Sequence, residues 1–476
     1  MIWPSAGPLR RMDHRAALLI DFGSTYTKLT AVDMGASEII GKALAPTTVK
    51  EDIMIGLQTA VQQLEKRTGK REYRTKLASS SAAGGLKMVA SGLVPELTLE
   101  AAKSAALGAG ANLTGNFAYE LSPKDIARIE AANPDVILLC GGTDGGNKDV
   151  VLHNADMLSC SKVQATVIYA GNRAVAEKCR TLLEAQDKEV IVTENVMPKF
   201  GELNVDKVRE AVRDLFIKRI VKAKGLGKAK RFVDSVLMPT PAAILRAAVL
   251  IAEGSEKLNG VGDLVVVDVG GATTDVHSVG WGPVLSGAVK KSMPEPYAKR
   301  TVEGDLGVRY NAGSMFSSVG QSALMTYADV RIPNLQAIVQ TYVQFPERLP
   351  QSLEEQMADT CLAGCAVDLA MERHAGTVET VHLPLGDVTI QRGKNLLEVQ
   401  TIIGTGGPII RALSPRDILE HAVFRHDRPY SLKPRNPKIM IDAQYLLYAV
   451  GLLSVVEPNV ALHLAQKYLK EETQSG

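Results

Sequence analysis

The sequence predicts an α/β protein built from at least two domains, and three observations predict it. The chain has 476 residues, enough for more than one hydrophobic core. Two separate stretches, Ala16 to Lys28 and Leu264 to Asp275, share one chemical order: an apolar strand, an aspartate, a glycine turn and hydroxyls. Between them, residues 85–235 alternate short apolar runs with helical periodicity, which argues for parallel strands joined by helices.

Met1 to Arg15 carries arginines but no apolar segment of the signal-peptide kind, and is expected to be a tail. The apolar run Ala16 to Ile20 then ends in Asp21-Phe22-Gly23-Ser24-Thr25-Tyr26-Thr27-Lys28. Leu29 to Val32 reads as a returning strand, so Gly23 to Thr25 form a hairpin turn. Such a turn offers N–H groups and hydroxyls to phosphate without being a P-loop, and GxxxxGK[ST] does not occur in the chain. Glu38 to Ala45 suits a third strand. Glu51 to Lys66 has helical spacing through Ile53, Leu57, Ala60, Val61 and Leu64. Tyr73 to Ala78 is a short strand running into Ser79, Ser80, Ser81, Gly84 and Gly85. That cluster reads as a strand-end loop, with a cleft lining as the other reading.

Within 85–235, strands are expected at Leu86 to Val89, Asp135 to Cys140, Ala165 to Ala170 and Val190 to Thr193. Helices are expected at Leu97 to Ala109, through Ala127, Ile129 and Ala132, and at Arg173 to Gln186. The loop Gly141 to Gly146 lacks the GxGxxG order, which argues against a nucleotide site there. The helix Val205 to Ala223 leads into a basic run (Lys218, Arg219, Lys222, Lys224, Lys228, Lys230, Arg231), read as a solvated face rather than a dock for an acidic partner.

Pro239-Thr240-Pro241 opens a helix, with Thr240 as N-cap and Pro241 in the first turn. Ala242 and Ala243 allow a neighbour to pack close. Leu264 to Val267 is a strand apolar on both faces, and Asp268 emerges at its end, where α/β sheets place ligand chemistry. Gly270 and Gly271 turn the backbone tightly; Thr273 and Thr274 offer hydroxyls; Asp268 and Asp275 offer hard oxygens to magnesium. Alone this is compatible with an ordinary strand–turn–strand unit. The matching turn at 21–28 makes it half of a clamp.

Val276 to Ser278 and Gly287 to Lys290 are expected to continue the hairpin. Arg300 to Arg309, dense in charge and glycine, reads either as a loop near the cleft, with Glu303 or Asp305 polarising a water, or as plain surface. Leu353 to His374 is a helix whose Cys361 and Cys365 are core residues, because two thiols cannot close a zinc site. Val399 to Ile410 is a third strand with glycines, Gly404, Gly406 and Gly407, which admits a flat ring close to the backbone. Asp442 to Val456 is an apolar helix in which Ala449 and Gly451 permit close packing.

A formal net charge of +2 and an aromatic content of 5% argue against nucleic acid and anionic membrane as partners. Five cysteines, an odd number, fit a reducing cytosol and a cytoplasmic location. No window has the apolar length of a membrane-spanning helix.

The elements at 18–28, 236–245, 264–275, 402–410 and 442–453, in that order, resemble phosphate-1, connect-1, phosphate-2, adenosine and connect-2 of the actin–Hsp70–sugar kinase superfamily. The resemblance implies a two-domain actin-like ATPase (ribonuclease H-like) fold with an inserted α/β subdomain. Residues 16–84, 236–260 and 440–476 would form domain I, 261–439 domain II and 85–235 the insertion, with 1–15 as the tail. In finer detail, DFGSTYTK (21–28), LCGGTDGGNKD (139–149), DVGGATTDVHSV (268–279) and TVEGDLGVRYNAG (301–313) resemble the glutamate mutase accessory proteins of the MutL or GlmL type.

That likeness implies an ATP-dependent accessory or reactivating factor for an adenosylcobalamin-dependent glutamate mutase or aminomutase, with ATP and Mg²⁺ held between two domains. By the same resemblance, Asp21 and Asp268 hold the magnesium through waters. Amides of Gly23, Ser24 and Thr25 take the phosphates from one side, and those of Gly270, Gly271 and Thr273 from the other. Lys28 adds charge, Gly404, Gly406 and Gly407 floor the adenosine, and Asp275 or Glu303 orients the attacking water. Two other readings stay open: a small-molecule kinase of the same fold, and a nucleotide-binding scaffold without turnover. The oligomeric state is open as well.

Overall fold

The computed structural model describes residues 16–23, 26–48, 51–81, 86–222, 232–233, 235–384 and 386–472. The first sheet is laid down by β1 (Ala16–Phe22), β2 (Tyr26–Asp33), β3 (Glu38–Pro46) and β4 (Thr75–Ser80). The chain then leaves to build five further strands: β5 (Lys87–Gly92), β6 (Asn112–Ala118), β7 (Val136–Leu139), β8 (Thr166–Tyr169) and β9 (Val190–Val192). It returns with β10 (Ser235–Pro239), which completes the order β10-β4-β1-β2-β3. β1, β2 and β3 are an antiparallel meander, whereas β4 and β10 run parallel to β1.

The same plan recurs. The later strands are β11 (Leu264–Val269), β12 (Thr274–Val279), β13 (Ala288–Lys290), β14 (Ala298–Glu303), β15 (Thr377–Leu383), β16 (Gly386–Arg392), β17 (Thr401–Thr405), β18 (Lys438–Ile441) and β19 (Lys470–Glu471). The second sheet has the order β14-β12-β11-β17-β18-β19. Its β11, β12 and β14 are antiparallel neighbours, and β17 and β18 run parallel to β11. Short β19 aside, both sheets have the strand order 3-2-1-4-5 with identical directions. This is the ribonuclease H-like unit of an actin-like fold, present twice.

Side-chain alternation explains how the two units pack. In β1, Leu18, Ile20 and Phe22 join a core with the helix Ile53–Thr68, while Ala17 and Leu19 face the opposite way. In β11, Val265, Val267 and Val269 meet the helix Leu353–His374, while Leu264 and Val266 face the opposite way. Those opposite faces share one helical layer made from Thr240–Glu253, Leu447–Leu453 and Pro458–Tyr468. Continuing the period of two, Asp21 and Asp268 fall on the faces turned towards this shared layer. Within it Gly451 lies so close to Ala243 that a Cβ there would overlap the Ala243 carbonyl oxygen. The close packing expected of Ala243 and Gly451 is thereby realised.

The inserted strands form a separate parallel sheet, β6-β5-β7-β8-β9, which is the doubly wound order 2-1-3-4-5 with helices between strands. The insertion lies between β4 and β10, neighbouring parallel strands of the first sheet: the chain leaves after Ser80 and re-enters at Ser235, which pairs with Leu77.

Four expectations are corrected. Residues 288–290 do not extend the β12 hairpin, since β13 pairs in parallel with β16 in a third sheet, β13-β16-β15. Residues 298–303 are not a loop: β14 is the edge strand beside β12. A division at 439/440 falls inside β18, whose backbone pairs with β17, so this strand and β19 belong with the second sheet. Thr240 is the first residue of its helix rather than the cap, which is Pro239. Cys361 and Cys365 are fully buried in the core, as expected. The tail 1–15, the turn residues Ser24 and Thr25, the glycines 84 and 85, and the basic run beyond 222 lie outside the described residues.

Candidate functional site

The carboxyl ends of β1 and β11 open onto one cleft of about 690 Å³. Asp21, Gly23, Lys28, Asp268, Gly270, Gly271, Gly406 and Gly407 all line it, so the structure brings together both halves of the expected clamp. Among the described residues, Thr273, Asp275, Glu303 and Gly404 are not in that lining.

Register makes the two halves directly comparable. Asp21 lies opposite Lys28 on β2 and Ser79 on β4. Asp268 lies opposite Asp275 on β12 and Thr405 on β17. After the fifth strand of each sheet come Thr240 and Asp442 respectively. The first turn is closed by the Gly23 amide donating to the Tyr26 carbonyl at 3.1 Å, the second by Gly270 donating to Thr273 at 2.9 Å. Those two amides are therefore engaged within their own turns. In the second turn the Gly271 amide has no backbone acceptor among the described residues, whereas its carbonyl accepts from the amides of Arg309 and Tyr310. Gly307 makes this bracing possible, because a Cβ there would stand 2.3 Å from the Ala272 carbonyl carbon.

The half-sites differ in electrostatics. Asp21 is 1% exposed and fully engaged. One oxygen accepts from the Ser79 hydroxyl at 3.0 Å and the Thr240 hydroxyl at 2.6 Å; the other accepts from Lys28 Nζ at 3.2 Å. Burial works against the charge on Lys28, yet Asp21, Tyr445 and Asp268 hold its ammonium pKa above the usual value. Lys28 also lies 4.9 Å from the centroid of the Tyr445 ring, which joins the halves across the cleft. Asp268, by contrast, receives no side-chain hydrogen bond among the described residues. Burial first, then the Asp275 carboxylate, with Asp442 and Asp21 adding to it, push its carboxyl up to about 7, against the pull of Lys28.

Asp442 caps the helix that follows it, accepting from the amides of Leu446 at 2.7 Å and Leu447 at 3.1 Å and from the Thr405 hydroxyl at 3.2 Å. Burial raises its carboxyl to about 6 despite those donors. Gly406, at φ 96°, presses against the end of β11, where a Cβ would meet the Val269 carbonyl oxygen. A Cβ on Gly407 would come 3.3 Å from the Tyr445 hydroxyl and 3.4 Å from Arg411, so this glycine keeps open a slot between an aromatic ring and a guanidinium.

The remaining expectations fall elsewhere, for visible reasons. Gly404 is buried within β17, its α-carbon against Leu419 and Ile409, and does not floor the cleft. Thr273 donates to Asp275 at 3.1 Å. Asp275 is gripped by Arg300, whose Nε donates to it at 2.8 Å. Glu303 and Asp305 are both held by Arg373, at 2.7 Å each. Burial raises the Glu303 carboxyl, but it faces a second cavity, not the cleft.

Several lining residues escaped sequence reasoning. Thr240 and the serine cluster were visible, but not their convergence on Asp21. Arg309 and Asp359 meet at 2.7 Å on the cleft wall, with the Arg309 guanidinium 4.1 Å from the Tyr342 ring centroid. No local pattern marks such a pair, since its members are far apart in sequence.

A divalent cation fits this chemistry. A carboxyl raised first by burial and then by the Asp275 carboxylate, with no side-chain donor among the described residues, is one that a nearby positive charge would stabilise in its ionised form, as Lys28 does in part. Among the described residues no cluster of three or more His, Cys, Asp or Glu could hold a metal by itself. No helix among the described residues is long and apolar enough to cross a membrane.

A model of the family described as "MutL protein" matches residues 17–469. The chain is 46% identical over 457 residues to Protein MutL of Clostridium tetanomorphum, covering 95% of this chain and 99% of that protein. Among solved structures it is similar to xylulose kinase from Bifidobacterium adolescentis (12% identity, 96% of each chain, TM-score 0.33). It is also similar to Plasmodium falciparum glycerol kinase with ADP (9% identity, 96% of this chain and 93% of that one, TM-score 0.37). Both of these structural likenesses are too distant to bear on activity.

Proposed function

This chain belongs to the MutL protein family, and on that footing we propose that it is an ATP-binding accessory protein of an adenosylcobalamin-dependent glutamate mutase or a related aminomutase. The observation that carries the nucleotide part is the placement of Asp21 and Asp268 at equivalent strand ends of two equivalent sheets, both lining one cleft. The mutase part rests on the resemblance of the motifs at 21–28, 139–149, 268–279 and 301–313.

Asp268 is the residue to hold Mg²⁺, through waters, with Asp21 at second remove because its oxygens already have donors. The cation, when bound, supplies positive charge to phosphate oxygens. Lys28 adds a second positive charge from the first sheet, and the Gly271 amide a donor from the second. The base and ribose fit against Gly406 and Gly407, beside Tyr445 and Arg411. Because ligands come from both sheets, the nucleotide binds the closed arrangement better than the open one, which is what a nucleotide-driven motion requires. Asp275, engaged by Arg300 and Thr273, positions the second half-site rather than activating water.

One observation favours a second reading, a small-molecule kinase. Asp359 lines the cleft, and burial raises its carboxyl against the pull of Arg309 and Tyr342. A kinase needs such a base facing an acceptor hydroxyl.

Two measurements test these readings. Calorimetric titration with Mg-ATP is expected to give binding to the wild type and none to Asp268→Ala; equal affinities would sink the site. ATP turnover stimulated by glutamate mutase supports the accessory role, whereas turnover stimulated by a polyol or sugar alone supports the kinase.

A further inference from the structure

The insertion touches the second sheet at its edge strand, β14, where the helix Glu100–Gly108 packs. One side chain on that strand reaches in two directions. Arg300 grips Asp275 through Nε at 2.8 Å, with Nη2 on the same oxygen, and its Nη1 donates to the Leu107 carbonyl at 2.9 Å. Leu107 sits in the last turn of the insertion's helix, where a cation is favoured, and its carbonyl accepts from the Gly110 amide at 3.0 Å as well as from Arg300. Asp275 in turn lies directly opposite Asp268 and is its strongest charged neighbour. The side chain of Arg300 is only 4% exposed and that of Asp275 only 10%, so water screens neither contact.

We propose that Arg300 is a positioning residue that couples the nucleotide cleft to the inserted subdomain. The inference rests on the reading of the cleft as a Mg-ATP site. A cation next to Asp268 removes the unfavourable interaction between that carboxylate and Asp275, which changes the demand on the guanidinium they share indirectly. A guanidinium is suited to this, because its planar fork serves both acceptors at once, and an ammonium on a flexible stem does not. The arrangement has room to respond: a cavity of about 660 Å³, lined by Glu100, Lys103, Leu107, Arg300 and Glu303, lies along the same junction. A second contact across this junction is longer, Arg209 Nη2 donating to the Ala298 carbonyl at 3.3 Å.

Hydrogen exchange on the full chain, with and without Mg-ATP, tests the coupling. In the wild type, exchange in residues 264–275 and in 100–108 is expected to change together, by about fivefold or more if the coupling is of ordinary size. Arg300→Lys keeps a positive charge beside Asp275 but cannot reach both acceptors. It is expected to keep the response at 264–275 and to lose that at 100–108. A wild type in which 264–275 responds and 100–108 does not would overturn the proposal, and this arm needs no variant to fold. A response at 100–108 surviving in Arg300→Lys would overturn it equally. If 264–275 itself is unmoved by Mg-ATP, the nucleotide reading fails, and the coupling with it.

Discussion

Lys28 and Asp275 stand at equivalent positions of two sheets with one topology, and they carry opposite charges. Each lies on the second strand, directly across from the aspartate that ends the first. A duplicated fold has thus been made electrically asymmetric at its centre. One aspartate is neutralised by a lysine and two hydroxyls, and the other is left among carboxylates. On the Mg-ATP reading proposed above, this asymmetry favours the second half-site for the cation.

The first prediction concerns pH. The Asp268 carboxyl is raised from 3.8 to about 7, so the native state without ligand holds this proton more tightly than the unfolded chain does. The associated stability is fully present below pH 3.8 and is lost as the pH rises through about 7. Urea midpoints of the ligand-free protein should therefore fall between about pH 4 and 7 more steeply for the wild type than for Asp268→Asn. Mg-ATP requires the ionised form, so its affinity should weaken by about tenfold per pH unit below that value. Calorimetry in buffers of differing ionisation enthalpy would reveal the proton released.

Lys28 lowers the Asp268 pKa across the cleft, and its removal should be read there. Lys28→Met is expected to weaken Mg-ATP binding at neutral pH and to move the midpoint of its pH dependence upward. An unchanged midpoint would mean that the two groups do not interact in solution.

Thr240 donates to a buried carboxylate at 2.6 Å. Thr240→Val keeps the shape and removes the donor, and hydrogen bonds to charged groups are worth about 1.5–3 kcal/mol. Denaturant titration should show a loss in that range, with weaker Mg-ATP binding, because Asp21 then holds Lys28 less firmly.

Gly451→Ala opposes two effects. Replacing a helical glycine by alanine favours the helix by about 1 kcal/mol, but the new Cβ would overlap the carbonyl oxygen of Ala243, which is backbone and cannot rotate away. Overpacking of this kind costs about 1–3 kcal/mol, so net destabilisation is expected. A chemical denaturation curve shifted to lower midpoint with an unchanged slope would bear this out.

Much of this was legible in the sequence wherever the signal was local. Four consecutive apolar residues before Asp268 announced a strand covered on both faces, and the repeat of its chemistry at Asp21 announced a partner. Gly451 and Ala243 declared a close helix contact through size alone. What stayed hidden was set by pairing across the fold. Nothing near residue 300 shows that β14 is an edge strand whose arginine reaches the insertion, nor that Thr240 turns its hydroxyl to a carboxylate some two hundred positions away. The glycines were misleading in the same way. Gly23 and Gly270 read as phosphate ligands because glycine turns expose amides, and the sequence does not show that in each turn this amide also closes the hairpin. Gly404 read as a floor and is a site where Leu419 and Ile409 crowd the backbone.

The insertion is spliced between β4 and β10, parallel neighbours in the first sheet: the chain leaves after Ser80 and re-enters at Ser235, which pairs with Leu77. At their carboxyl ends these two strands carry Ser79 and, directly after Pro239, Thr240, the two hydroxyl residues that clasp Asp21. The register that sets Pro239 beside Ser80 is what brings both hydroxyls to one carboxylate. A whole subdomain is thus accommodated between two strands whose pairing still completes the clasp.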